Sequence, residues 1–86
     1  MAGLALRDTR TNVLIAAAIA HRNGGYFHQN EPPGWLAVES EGALTIERDL
    51  IFQALGRPCS DETWEALVDK PTGRVAVMSA DLIVIE

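Results

Sequence analysis

The stretch from Thr11 to Gly25, TNVLIAAAIAHRNGG, limits what this chain can fold into more than any other segment. Val13 to Ala20 present no polar face, and a helix that is apolar all round is normally covered on most of its sides. The stretch is therefore predicted to be a buried central helix. Asp8, Thr9 or Thr11 can accept hydrogen bonds from its first free N–H groups, and Asn23-Gly24 offers the left-handed backbone that closes a C-terminus. His21 and Arg22 in the last turn complement the negative end of the helix dipole.

Before this helix, Met1 to Arg10 reads as a frayed tail or a short edge strand, its alternation of Leu4 and Leu6 too brief to choose. After it, Gly25 to His28 and Trp35 to Glu39 read as the two arms of a hairpin. The connection, Gln29-Asn30-Glu31-Pro32-Pro33-Gly34, is longer than a tight two-residue turn. A second helix is expected with Thr45 as its N-cap. Ile46, Leu50, Ile51, Ala54 and Leu55 form its apolar side, and Gly56 and Pro58 end it. Ser60 is the expected cap of a third helix, with Asp61 and Glu62 in its first turn and Trp64, Leu67 and Val68 as its stripe. Lys70-Pro71-Thr72-Gly73 stops that helix. The tail, RVAVMSADLIVIE, reads as two strands or one strand bent at Ser79 to Asp81, and the unbroken LIVI predicts burial on both faces. The predicted fold is α+β: a short antiparallel sheet, in the order α-β-β-α-α-β-β, packed on the buried N-terminal helix as one domain over residues 1–86.

The 86 residues have room for one core, and a chain this short buries roughly 60% of its unfolded surface. With 48% hydrophobic and 22% charged residues it has the composition of a globular protein, which argues against disorder. Val13 to Ala20 is the longest apolar run and falls well short of a membrane span. With no signal-like leader and a single cysteine, Cys59, the chain is expected to be cytoplasmic. The excess of arginine over lysine and the abundance of alanine suggest a bacterial or phage genome. A net charge of −5, with dispersed cations, disfavours nucleic acid as a partner.

Few residues carry the pattern of a reaction. Cys59 sits where a helix dipole can lower a thiol pKa, but a nucleophile also needs a base, and only His21 or His28 could serve. Asp61 and Glu62 push that pKa the other way. His21, His28 and Glu31 are metal-ligating residue types without metal-ligating spacing. No metal, cofactor or catalytic set is therefore assigned. Gly24-Gly25 follows a helix rather than preceding one, so it is not a phosphate-cradling loop. Asp61, Glu65 and Asp69 recur at i, i+4 and i+8 and would form one acidic stripe. Tyr26, Phe27 and Trp35 put most of the aromatic residues beside a proline-stiffened turn, where they would serve either as core or as binding anchors.

These features favour a non-enzymatic protein–protein interaction module: a small acidic regulator, adaptor or inhibitor whose partner surface is Tyr26, Phe27, Trp35, Asp61, Glu65 and Asp69. Its partner would be another protein, a second copy included, because the aliphatic content is high for one subunit to cover. Two alternatives belong to other classes. One is a small enzyme or ligand binder using Cys59 with a histidine. The other is nucleic-acid binding in a winged-helix-like arrangement, which rests on element order alone and has the acidic third helix against it.

Overall fold

A computed structural model describes residues 1–30 and 33–86. The element order is β1 (Ala2–Arg7), α1 (Arg10–Asn23), β2 (Tyr26–Asn30), β3 (Trp35–Ser40), β4 (Leu44–Glu47), α2 (Arg48–Leu55), α3 (Asp61–Ala66), β5 (Pro71–Thr72), β6 (Val75–Met78) and β7 (Leu82–Ile85). The class is α+β, as the sequence predicts, but the strands form two antiparallel sheets rather than one. The first has the order β2-β3-β1-β5 and the second β4-β7-β6.

Helix α1 lies at the centre of the packing. Thr9 caps it by accepting from the Asn12 N–H at 3.1 Å. At its other end Gly24 takes φ 64°, and the Gly24 and Gly25 N–H groups donate back to His21 and Ala20, closing the last carbonyls. Coverage is less complete than its composition predicts. Ile15, Ala16, Ile19 and Ala20 are buried, whereas Leu14 is 50% exposed. The two sheets and α2 cover one broad face, and the small alanines on the other side need no cover.

The first sheet shows why β1 is a strand. Leu4 and Leu6 face α1 together with Leu36 and Val38, and the outward residues Gly3 and Ala5 are small enough for neighbouring chain to pass close by. The segment expected to be a tail or an edge is thus an inner strand, paired with β3 from Ala2↔Ser40 to Arg7↔Trp35 and with β5 on its other side. The predicted hairpin is present, with Tyr26 opposite Glu39 and Asn30 opposite Trp35. Glu31 and Pro32 of its connection lie outside the described residues.

The second sheet corrects two readings. Residues Leu44–Glu47 are strand β4, so Thr45 is not the cap of the second helix and Ile46 is not in it. Helix α2 begins at Arg48, after Glu47 in extended conformation with no side-chain cap bond, and the Asp81 carbonyl accepts from the Arg48 N–H at 2.9 Å. A strand pairing with residues nearly forty positions later thus overrides a local capping preference: Leu44 lies opposite Ile85 and Glu47 opposite Leu82. Within β7, Ile83 and Ile85 are buried while Leu82 and Val84 are half-buried, so LIVI alternates rather than being covered equally on both faces. The β6–β7 turn is closed by the Ser79 N–H donating to the Leu82 carbonyl at 2.9 Å. One continuous core joins the sheets through Ile15, Ile19, Ile46, Ile51, Ile83 and Trp64.

Candidate functional site

A concave surface lies at the end of the first sheet, where β1 and β3 meet α3. It is a groove of about 420 Å³ with Trp35 on one wall and Glu62, Thr63, Ala66 and Asp69 among its other lining residues. Two cations converge on Trp35. The Arg7 guanidinium carbon lies 4.4 Å from the centre of the ring and the Lys70 ammonium 5.1 Å from it, within the range of a cation–π attraction. Strand register accounts for one of them, since Arg7 is the direct cross-strand partner of Trp35. Lys70 arrives by tertiary contact, its carbonyl accepting from the Ala5 N–H at 3.1 Å as the chain leaves α3. Its walls carry charges of both signs, Arg7 and Lys70 on one hand and Glu62 and Asp69 on the other.

The structure separates the aromatic residues that the sequence places together. Tyr26 and Trp35 lie on the same face of the sheet but at opposite ends of the β2–β3 pair, about 13 Å apart along the strand. Phe27 faces the other way. Tyr26 is 53% exposed and Phe27 36% exposed, whereas Trp35 is half-buried in its groove. Around Tyr26 a small polar cluster forms: its hydroxyl donates to Glu39 Oε2 at 2.9 Å, its ring stacks on His28 at 6.0 Å, and His28 Nε2 lies 3.9 Å from Glu39 Oε1. Donation to the Glu39 carboxylate holds the Tyr26 pKa above the ordinary phenol value, the negative charge of Glu39 adding to the effect.

The acidic stripe is broken. Helix α3 ends at Ala66, and Leu67, Val68 and Asp69 continue in tighter turns whose N–H groups donate to Trp64, Glu65 and Ala66, each three residues back. Asp69 therefore leaves the face of Asp61 and Glu65 and lines the Trp35 groove instead. Asp61 is committed to an ion pair, accepting from Arg48 at 2.8 Å. Arg48 also donates to the carbonyls of Cys59 at 2.6 Å and Ala80 at 3.0 Å, so it ties the starts of α2 and α3 to the β6–β7 turn. Composition marks no such role for Arg48, because its acceptors are mostly backbone oxygens from distant segments.

Cys59 does precede the capped start of α3, where Ser60 accepts from the Thr63 N–H at 3.1 Å. The thiol is buried and donates to the Ser60 carbonyl at 3.5 Å, with no histidine bonded to it among the described residues. Burial raises its pKa, a shift that the nearby Arg48 only partly opposes. Neither half of an activated nucleophile is in place. Among the described residues no group of three His, Cys, Asp or Glu side chains is placed to hold a metal ion, and no helix is long and apolar enough to cross a membrane.

No known protein family matches this chain, and no curated protein does so either. Its fold, however, has a counterpart among solved structures. A chain from the structure of a phenol hydroxylase–regulatory protein complex superposes with a TM-score of 0.79 at 20% sequence identity, over 99% of this chain and 95% of that one. The likeness extends over the whole of both architectures.

Proposed function

We propose that this chain is a small regulatory protein without catalytic chemistry of its own, which acts by docking on a larger enzyme of the hydroxylase kind. The observation that carries this reading is the end-to-end match in fold to a similarly sized chain from a hydroxylase–regulatory protein complex. The chemistry of the described residues agrees with it. The cysteine is buried and unactivated, whereas Tyr26, Phe27, Leu14 and Phe52 are apolar side chains turned to solvent.

Within that reading, Tyr26 and Phe27 at the hairpin edge and Trp35 in its groove are the leading partner contacts. Glu65, Asp61 and Asp69 are secondary, since one is already ion-paired and another lies in the groove. A free, reduced cysteine suits a cytoplasmic, bacterial setting for such a protein.

The test is native capture of the tagged chain from its own cells, followed by an aromatic hydroxylation assay of whatever co-purifies. The expected result is recovery of an oxygenase component whose turnover changes several-fold when this chain is removed and added back. Recovery of no oxygenase component, or turnover indifferent to the chain, overturns the reading.

A further inference from the structure

An unpaired sheet edge is a row of N–H and C=O groups able to template another strand, and proteins that do not use an edge generally block it. The described residues contain four such edges: β2 and β5 in the first sheet, β4 and β6 in the second. Three are blocked, each in a different way. Strand β5 is two residues long, and Pro71 has no N–H to offer. Strand β6 loses register with β7 between Val75 and Val77, a bulge that spoils a flat edge. On β4 a side chain stands in for the missing strand. Asn23 Oδ1 accepts from the Thr45 N–H at 2.9 Å, and Asn23 Nδ2 donates to the Thr45 carbonyl at 3.1 Å.

Strand β2 has none of these devices. Tyr26 to Asn30 pair with β3 residue for residue, without bulge, proline or formal charge. Among the described residues no backbone group outside the β2–β3 ladder bonds to it, and the one side-chain contact on its main chain is His28 Nδ1 at 3.1 Å from the Gln29 carbonyl. The geometry points to β2 as a docking edge that takes an extended segment of the partner enzyme as a fifth strand of the first sheet. This inference rests on the regulatory reading given above.

The edge also sets the chemistry of its occupant. Tyr26 and Phe27 are exposed on opposite faces of the sheet, so an added strand that passes them meets apolar surface on both of its own faces. Behind Tyr26 and His28 stands Glu39, on a chain of net charge −5, so the incoming segment is neutral or basic. A second copy fits less well, because it brings the same net negative charge to the same place.

Amide hydrogen exchange on the free chain and on its complex with the captured oxygenase component tests this directly. The expected result is at least tenfold slower exchange within Tyr26–Asn30 on complex formation, with β6 unchanged. His28→Lys, an exposed edge substitution, is expected to weaken the complex at least tenfold while the free chain stays folded. The contacts of His28 with Tyr26 and Glu39 are exposed, and their loss should lower the melting temperature by no more than a few degrees. If the complex forms and β2 exchange does not change, the edge assignment is wrong and the regulatory reading stands. If no oxygenase component binds, both fall. If β2 slows in the free chain as concentration rises and the solution mass doubles, the occupant is a second copy and the partner-strand assignment is overturned.

Discussion

Arg48 and Trp64 form a single clasp between α2 and α3: the guanidinium carbon lies 5.5 Å from the indole centre, and Trp64 Nε1 donates to the Ser79 carbonyl at 2.8 Å. Since Arg48 itself donates to the Ala80 carbonyl, the two side chains hold the same turn from two sides. Trp64 is buried in the core cluster, so Trp64→Ala leaves both a large void and an unpaired carbonyl. The expected loss is about 3–5 kcal/mol, much of the stability of a domain this small. Trp64→Phe, which keeps most of the volume, should lose about 1–3 kcal/mol. Urea unfolding midpoints of the two variants check both the order and the size.

Asn23 is expected to matter more than an asparagine at a helix end usually does. Its amide bonds the Ile19 carbonyl at 2.9 Å and both backbone groups of Thr45, joining the last turn of α1 to β4. Asn23→Ala should destabilise the chain by about 1–3 kcal/mol. It should also speed exchange of the Thr45 amide, which loses its acceptor, and nuclear magnetic resonance can follow that amide alone.

Two adjacent glycines should respond differently to alanine. A Cβ at Gly25 would lie 2.2 Å from the Glu39 carbonyl oxygen, so β2 and β3 must part to admit it. At Gly24 the space is open and only the positive φ opposes the change. Gly24→Ala should cost about 1 kcal/mol, and Gly25→Ala about 1–3 kcal/mol with visible disturbance of the hairpin. Thermal melts with exchange mapping of β2 separate the two effects.

The Cys59 thiol should be slow to alkylate with iodoacetamide at neutral pH and fast once the chain is unfolded. Burial raises its folded pKa above the unfolded value, so this group favours the native state below the unfolded thiol pKa. That contribution is lost as pH rises towards the folded pKa, because the unfolded chain ionises first. Rapid alkylation of the native chain at pH 7 would contradict the buried, unactivated thiol.

The Tyr26–Glu39 pair gives a second alkaline signature. The Tyr26 hydroxyl titrates above the ordinary phenol value because its neutral form donates to the carboxylate. Its contribution to folding is therefore complete below the unfolded tyrosine pKa and declines as pH rises through the folded one. Glu39→Gln is expected to bring the phenolate absorbance titration down towards the ordinary value. An unchanged titration would mean that the bond does not persist in solution.

Much of the local architecture can be read from the residues alone. Thr9 and Ser60 cap α1 and α3, Gly24 and Gly56 end α1 and α2, and the hairpin forms in the predicted region, because each depends on chemistry within a few residues. The first arm of the hairpin runs on through Gln29 and Asn30, which the sequence reading assigns to the connection. The acidic stripe and the aromatic cluster were less legible. Both assumed that regular spacing would continue: α3 turns off after Ala66, and strand geometry carries Trp35 to the far end from Tyr26.

Sequence by itself determined the α+β class and the apolar helix that packs on the sheet, since these follow from composition, periodicity and capping. Only the tertiary structure decided that Ala2–Arg7 is an inner strand, that Leu44–Glu47 pairs with Leu82–Ile85 rather than beginning a helix, and that among the described residues β2 is an unpaired edge while Asn23 closes β4. The physical reason is that strand pairing is satisfied by partners distant along the chain. A backbone N–H gives no sign in the sequence of which carbonyl it will meet, so a sheet's inner strands and free edges are known only once the whole chain is folded.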